Sequence, residues 1–363
     1  KLRRGSGVTD ESLLEAAAAQ FDLLRARKEL IRKKKHSEAI YWANAAEQER
    51  QQMAGEQVED TCLPGFMVLG MHRSGTSMLS GLLVQGSGYN VGGPLIGAAF
   101  DNEKGFFERI DVVLQNDEFM QAQRIWWAAG VREYDADKAY DDYKSGQIAF
   151  KQGSKGLAFL NDPENAPWLQ KDPRMCITLP TWLKLLNHKP AVVFTYRHPL
   201  EVAKSLMKRE EAFTLERGLR LWIVYNMRAV QNSANLCRVL SSNDKILEDP
   251  LREVQRIADE LTNKCHVKKP PKKLEQEDVD KFVDPNLQHN KKQLQREQLK
   301  EPVLKDYNGC MIRDYRTNEE RQRPRGHNMR EREEQLYMAA MTIYCDFQSG
   351  IAYQPDYKWP ELP

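Results

Sequence analysis

Short apolar runs followed by helical patterns recur along the middle of the chain. Residues 66–69 form an apolar run, and residues 78–84 then carry apolar side chains at helical spacing. The same order returns in the apolar run 191–196 and the helical pattern 200–209. Buried parallel strands read as continuous apolar runs and alternate with the helices that cover them. The pattern therefore predicts an α/β fold in which helices flank a central parallel sheet.

Other segments predict further elements of both kinds. Residues 237–240 are a third strand candidate. Helical periodicity predicts helices over residues 9–55, 106–130, 213–234, 250–261 and 318–347. Residues 131–165 are polar with no clear period, and residues 264–325 are highly charged, which indicates loops or exposed helix.

Changes in composition divide the chain into three parts. Asp10 can cap the first predicted helix, whose segment 25–35 is densely basic. That segment is either a solvated helix face or a surface for a protein partner. Residues 57–65 then read as a linker. We predict an N-terminal helical extension over residues 1–60, an α/β domain over 61–350 and an extended C-terminal tail over 351–363.

The overall composition excludes several classes of protein. The 363 residues are 41% hydrophobic and 29% charged, so the chain can bury a core. A net charge of +2 argues against a nucleic-acid partner, because such binders carry a basic excess. No apolar run approaches the ~20 residues of a membrane span, and no segment resembles a secretory signal. Because the sequence begins at Lys1, the cytoplasm and, with an anchor before it, the Golgi lumen both remain open as locations.

The cysteine pattern argues against two kinds of framework. The six cysteines are scattered and none forms a C-x-x-C pair, so a zinc site has little support. Six cysteines in 363 residues are also too few for a disulfide scaffold. We therefore expect neither framework.

A glycine-bounded loop follows the first predicted strand. Residues 70–77 have the form G-x-x-x-x-G-T-S and lie between an apolar strand and a helix. In such a loop, backbone N–H groups and the positive end of the following helix hold phosphate oxygens. Gly70 and Gly75 permit the close approach that side chains would block. The predicted phosphate-binding residues are His72, Arg73, Ser74, Gly75, Thr76 and Ser77.

The loop departs from the pattern of ATP- and GTP-hydrolysing proteins. Their loop places a lysine before the final hydroxyl residue, where this chain has Thr76. The loop cation is Arg73 instead, and the later apolar strand ends in Arg197 rather than in an Asp that would hold Mg²⁺. A nucleotide kinase or hydrolase is therefore the weaker alternative.

Two motifs together resemble a known family. The segment H-R-S-G-T-S, residues 72–77, resembles the 5′-phosphosulfate loop of sulfotransferases that use 3′-phosphoadenosine 5′-phosphosulfate (PAPS). Residues 192–206 resemble their 3′-phosphate element, in which an Arg and a Ser eight residues later bind the 3′-phosphate; here these are Arg197 and Ser205. Three further segments resemble bacterial and algal members of the family: residues 101–108, 171–174 and 282–289.

The resemblance covers roughly residues 66–290 and implies both a fold and an activity. The implied fold is a P-loop-type α/β domain with a central parallel sheet. The implied enzyme moves a sulfuryl group from PAPS to a hydroxyl or amine of an acceptor and requires no metal. The acceptor stays open among small molecules, lipids and carbohydrates. The other alternative is a non-catalytic, sulfotransferase-like scaffold or subunit.

Sulfuryl transfer places negative charge on the sulfonate and on the leaving phosphate, so the site needs cations. Members of the family have a basic residue at the phosphosulfate, and the candidates here are Arg73 and Lys171. Lys171 is predicted to lie at the end of a strand, next to the cleft that would hold the ligand. Asp172 and Arg174 follow it and are predicted to pair with each other as structural orienters.

The transfer also needs a base, which is a Glu or a His in the family. Glu108 is the first candidate, because it follows Phe106-Phe107 and an apolar wall would raise its pKa toward neutrality. Glu103 is the second candidate. His72 is expected to be mainly structural.

Aromatic and imidazole side chains are the remaining candidates for ligand contacts. A Trp is more often a core residue than a ligand-binding one. Those that could line an acceptor pocket or stack on adenine are Trp126, Trp127, Trp168, Trp182 and Trp222. His289, in the third family-like segment, is a further candidate for the acceptor pocket.

Overall fold

The computed structural model describes residues 62–99, 102–148, 153–283, 303–307, 310–313 and 327–362. The predicted N-terminal helical extension, residues 1–60, lies outside these residues, as does His289. Within the described part of the chain, no helix combines the length and the apolar character needed to cross a membrane.

A four-stranded sheet forms the centre of the domain, with the strand order β2-β1-β3-β4. Its strands are β1 (Gly65–Leu69), β2 (Trp168–Lys171), β3 (Ala191–Tyr196) and β4 (Arg238–Ser242). All neighbouring pairs are parallel. Every residue of the first three strands is buried, which explains the nearly continuous apolar sequences of β1 and β3, whereas β2 ends in the buried polar residues Gln170 and Lys171. An antiparallel hairpin, β5 (Val303–Tyr307) and β6 (Cys310–Arg313), stands apart from this sheet.

Helices pack against both faces of the sheet. They are α1 (Thr76–Gly81), α2 (Ile110–Gln121), α3 (Ala136–Lys144), α4 (Ser154–Asn161), α5 (Met175–Leu185), α6 (Pro199–Arg209), α7 (Leu215–Asn232), α8 (Asn243–Glu248), α9 (Pro250–Asn263), α10 (Gln276–Phe282) and α11 (His327–Ser349). Alternate residues of β1 enter opposite cores: Met67 and Leu69 pack with α5, α7 and α11, whereas Phe66 and Val68 pack with α1, α9 and α10. The predicted α/β fold with a central parallel sheet is confirmed.

The predicted helix over residues 106–130 is too long. In the structure α2 runs only from Ile110 to Gln121. Phe107 and Arg124 have left-handed φ values of 56° and 59°, which a right-handed helix does not allow. Hydrophobic periodicity does not reveal such positions, so the predicted helix extended past both ends of α2. Trp126 and Trp127 consequently lie in a turn beyond the helix.

Two other segments are more ordered than their sequences indicated. Residues 131–165 contain α3 and α4, and the Asp135 side chain caps α3 by accepting hydrogen bonds from the N–H groups of Asp137 and Lys138. The C-terminal segment opens with a 3-10 turn, Ile351–Tyr353, and then packs against the core. There the Tyr357 hydroxyl donates a hydrogen bond to Asp346 at 2.6 Å.

A disulfide joins Cys237, before β4, to Cys265, after α9. Cys345 is also disulfide-bonded. The cysteines at 62 and 176 are reduced. Disulfides therefore support this fold locally, although the spacing of the cysteines did not indicate a pairing.

The Cys237→Ser/Cys265→Ser variant is expected to be less stable than the parent protein. The bond closes a loop across 28 residues, and such a cross-link typically contributes about 2–4 kcal/mol to the free energy of unfolding. Denaturant unfolding under non-reducing conditions measures the change. Cys62→Ser removes an exposed, reduced cysteine and should leave the midpoint unchanged. Equal midpoints for all three proteins would contradict the pairing.

Candidate active site

The segment from Gly70 to Ser77 leaves β1 at the carboxyl end of the sheet and enters α1, whose first residue is Thr76. Arg73 and Gly75 both have left-handed backbone conformations, with φ values of 67° and 82°. A Cβ added to Gly75 would lie 2.1 Å from the side-chain oxygen of Asn243, so this position excludes any side chain. The turn is thus held against the start of α8 and leads directly into α1.

One loop hydroxyl has no partner. The Ser74 Oγ atom is fully buried and makes no hydrogen bond with the described residues. A buried polar group left unpaired costs about 1–3 kcal/mol. A phosphate oxygen in the loop would satisfy it. Thr76, which replaces the lysine of ATP- and GTP-binding loops, is buried rather than extended toward a ligand.

The predicted 3′-phosphate residues meet the loop directly. Arg73 Nε donates a hydrogen bond of 3.0 Å to Ser205 Oγ on α6. Arg197 Nη1 donates to the backbone oxygen of Arg73 at 3.3 Å, and its Nε lies 2.7 Å from Glu201 Oε2. Trp222 Nε1 donates to the backbone oxygen of Arg197 at 2.9 Å. Arg73 therefore meets Arg197 and Ser205, which lie more than 120 residues further along the chain, and the two arginines form one cationic edge that Glu201 and Trp222 contact.

The second cluster lies at the other end of the loop. Lys171, the last residue of β2, is 1% exposed. Its Nζ contacts Glu108 Oε1 at 2.5 Å, the backbone oxygen of Phe106 at 2.9 Å and Ser77 Oγ at 3.1 Å. Asn102 Nδ2 also donates to Ser77 Oγ, at 3.1 Å. The structure thus places the predicted cation and the first candidate base in direct contact, at the final hydroxyl of the loop.

Burial raises the pKa of Glu108 above its usual range, and the adjacent ammonium of Lys171 only partly offsets this effect. Asp172, buried beneath the pair, raises it further. Asp172 itself accepts hydrogen bonds from Asn116 at 2.7 Å and from Arg174 at 3.1 Å. Asp172 and Arg174 contact each other as predicted, and they support the cluster from below.

The other two candidate bases, Glu103 and His72, lie in different surroundings from Glu108. Glu103 is exposed in the turn that follows Asn102, and the structure does not bring it to Lys171. His72 lies under the loop, with its ring 4.6 Å from Trp127 and 5.6 Å from Tyr225. Burial lowers the pKa of His72 well below its usual value, and nearby Arg174 acts in the same direction, so its imidazole is neutral.

The tryptophans separate into two groups. Trp168, Trp182 and Trp222 are fully buried and belong to the core. Trp127 is mostly buried beside His72, whereas Trp126 is exposed. Sequence reasoning missed Asn102 and Glu201, since a lone polar residue carries no signal until the fold supplies its partner. No group of three or more potential metal-ligating side chains occurs within the described ranges.

The fold and the site together define an α/β protein with a glycine-bounded loop after its first strand. Arg73, Arg197 and the buried Lys171 lie at this loop, and Thr76 stands where ATP- and GTP-binding loops have a lysine. The model of the sulfotransferase family matches residues 64–262, which is more than half of the sequence. The chain belongs to the sulfotransferase family, and the resemblance read from its motifs is confirmed.

Comparison with solved structures finds proteins of the same kind at low similarity. A sulfotransferase from Mycobacterium tuberculosis H37Rv shares 17% identity, with 58% of this chain and 70% of the other covered and a TM-score of 0.34. Retinol dehydratase in complex with androsterone and inactive cofactor PAP shares 16% identity, with 83% and 84% covered and a TM-score of 0.33. Comparison with curated sequences gave no match. The assignment therefore rests on the family match and on the site.

Proposed function

We propose that the protein transfers a sulfuryl group from PAPS to a hydroxyl or amine of an acceptor. The observation that carries this proposal is the contact between Arg73 and Ser205, which joins the phosphate loop to the 3′-phosphate element. The buried, unpartnered hydroxyl of Ser74 fits a phosphate oxygen in the loop. The low-similarity retinol dehydratase, solved with PAP, is consistent with the same nucleotide.

PAPS, when bound, supplies a sulfuryl group attached to a good leaving group, the 5′-phosphate. In the transfer, the acceptor oxygen or nitrogen forms a bond to sulfur while the bond from sulfur to the bridging oxygen breaks. The electron pair of the broken bond stays on the phosphate, and the acceptor proton passes to a base. We assign that base to Glu108, because its raised pKa makes the carboxylate a stronger proton acceptor than an ordinary glutamate.

The cations have separate tasks in this scheme. Lys171 points at the loop hydroxyl of Ser77, where it would balance charge on the phosphosulfate. Arg73, at the other end of the loop, and Arg197, at the end of β3, would bind the 5′- and 3′-phosphates. Fixed charges of this kind act strongly in a site from which water is excluded, and Lys171 is buried.

Arg197→Ala is expected to weaken binding of 3′-phosphoadenosine 5′-phosphate (PAP) by about tenfold to over a hundredfold, the value of a charged hydrogen bond of about 1.5–3 kcal/mol. Calorimetry in EDTA with PAP and with 5′-AMP, which lacks the 3′-phosphate, measures this. Binding of 5′-AMP should be unchanged. Lys208→Ala removes an exposed positive charge from α6 and serves as the control.

An equal loss for both nucleotides in Arg197→Ala would show that Arg197 acts only by holding the loop through the backbone of Arg73. Unchanged PAP affinity would remove the 3′-phosphate assignment. Mg²⁺-dependent turnover of ATP by the parent protein would favour a nucleotide kinase or hydrolase instead.

The disulfides are relevant to the cellular compartment in which the protein resides. Disulfides form and persist in oxidising compartments and are rare in the cytosol. The Cys237–Cys265 bond and the bonded Cys345 therefore favour the Golgi lumen over the cytoplasm. Thiol labelling of the protein isolated from its native cell tests this, since reactive thiols at these three positions would point to the cytoplasm.

A further inference from the structure

Trp126 lies on a tight turn at the surface beside the phosphate loop. It is 46% exposed, the highest value among the large hydrophobic side chains in the described part of the chain. The N–H of Trp126 donates to the backbone oxygen of Ala129 at 3.0 Å, and the N–H of Ala129 donates back at 2.8 Å. The turn is therefore closed on itself, with the indole directed outward.

Two hydrogen bonds from α7 fix this turn in place. The Tyr225 hydroxyl donates to the backbone oxygen of Trp127 at 2.7 Å. Arg217 Nη2 donates to the backbone oxygen of Ala128 at 3.2 Å. A fully buried aromatic side chain would gain about 1.5–3 kcal/mol over an exposed one. The fold instead leaves Trp126 46% exposed on a hydrogen-bonded turn, where the exposed part of its ring is accessible to a ligand.

Trp126 and the rings packed beneath it form a connected cluster that we call the tryptophan platform, defined by Trp126, Trp127, Phe213 and Arg217. Trp127 and Phe213 are buried, so Trp126 and the partly exposed Arg217 form its accessible face. The Trp126 and Trp127 ring centroids are 5.3 Å apart, and Trp127 stacks on Phe213 at 5.8 Å. The Arg217 guanidinium lies 4.5 Å from the Phe213 centroid and 5.9 Å from that of Trp126.

The platform reaches the phosphate loop. The Trp127 ring lies 4.6 Å from the ring of His72, the residue that precedes Arg73. The imidazole Nε2 atom is buried without a hydrogen-bond partner among the described residues. A molecule that lies on Trp126 would therefore be two ring contacts from His72 in the phosphate loop, where the proposed function puts the nucleotide.

Most N–H donors of the Arg217 side chain make no hydrogen bond to a described residue. A guanidinium carries five N–H donors, and the one described hydrogen bond of this side chain goes to the backbone oxygen of Ala128. No carboxylate of the described residues pairs with it, although it is only partly exposed. Its remaining N–H groups match the two oxygens of a carboxylate or sulfate on a ligand.

We propose that the tryptophan platform binds an acidic saccharide, which is the acceptor of the sulfuryl group. The C–H faces of a sugar ring pack on the negative face of the Trp126 indole. A uronate carboxylate, or a sulfate already present, binds Arg217. A neutral sterol or lipid would leave the guanidinium unpaired under an apolar surface, so the charge favours the acidic sugar. The inference rests on the proposed function and adds its substrate class.

The test uses a hexasaccharide of alternating glucuronate and N-acetylglucosamine, titrated into the protein with PAP present and followed by calorimetry and tryptophan fluorescence. Trp126→Ala and Arg217→Gln are each expected to weaken its binding by about tenfold or more. PAP affinity should be unchanged in both variants. Leu114→Ala, on a different exposed hydrophobic position of α2, is the control and should bind like the parent protein.

Salt and the Arg217→Lys variant separate charge from turn structure. Binding of the acidic hexasaccharide should weaken with salt, and Arg217→Lys should keep part of the affinity. A neutral N-acetylglucosamine hexasaccharide or a sterol alcohol that binds as tightly would overturn the proposal, as would equal losses in Arg217→Lys and Arg217→Gln. If the parent protein failed to bind PAP, the proposed function itself would fall. Normal PAP binding without hexasaccharide binding would overturn only the acceptor class.

Discussion

Lys171→Met should both destabilise the protein and remove most of its turnover. Lys171 is buried and its Nζ lies 2.5 Å from Glu108 Oε1. Breaking a buried ion pair from one side leaves an uncompensated charge and costs about 3–5 kcal/mol. Loss of a cation that stabilises charge in the transition state lowers kcat by about 10²–10³-fold. Denaturant unfolding and steady-state kinetics with radiolabelled sulfonate measure the two effects.

The double variant Lys171→Met/Glu108→Gln distinguishes the two roles. It contains no unpaired buried charge, so much of the lost stability should return while turnover stays low. Without Lys171, the neutral form of Glu108 is favoured in the folded protein, because burial already raises its pKa. The single variant should therefore gain stability as pH falls through that raised pKa. Recovery of turnover in the double variant would show that Lys171 is only a structural partner.

Local motifs allowed the glycine-bounded loop and the segment proposed to bind the 3′-phosphate to be recognised in the sequence. The left-handed turn at Gly75 and the hydroxyls around it are set by adjacent residues, so their order along the chain carries the signal. Arg197 and Ser205 were predicted from the resemblance of residues 192–206 to the family's 3′-phosphate element, and their role there stays a prediction. Their contact with Arg73 was not readable, because it joins positions 132 residues apart.

Long-range pairings account for most of what the sequence did not show. Glu108 and Lys171 were each predicted for the site, but their contact spans 63 residues and depends on β2 lying beside β1. The expected cause of the raised pKa, burial, agrees with the structure, whereas the opposing effect of Lys171 was not foreseen. The Cys237–Cys265 disulfide was not predicted for a similar reason. Only the return of the chain after α9 brings the two sulfur atoms together.

Glu108→Gln should reduce turnover by about 10²–10⁴-fold, the usual contribution of a general base. The amide keeps the shape of the side chain and an oxygen that can accept from Lys171, so PAP affinity should stay close to that of the parent. The parent enzyme should lose activity as pH falls through the raised pKa of Glu108, because the protonated carboxyl cannot accept a proton. The pH profile of the variant's residual activity should not show this decrease at acidic pH.

Glu103→Gln is the matched control, because Glu103 is an exposed carboxylate in the segment that leads to the site. Glu103→Gln should keep the turnover of the parent enzyme and the same decrease of activity at acidic pH. An inactive Glu103→Gln beside an active Glu108→Gln would reverse the two roles. If both variants kept full turnover, the base would lie elsewhere, and His72 would be the next candidate. Burial keeps its pKa low, so the imidazole is neutral, and its unpartnered Nε2 could accept a proton beside the loop.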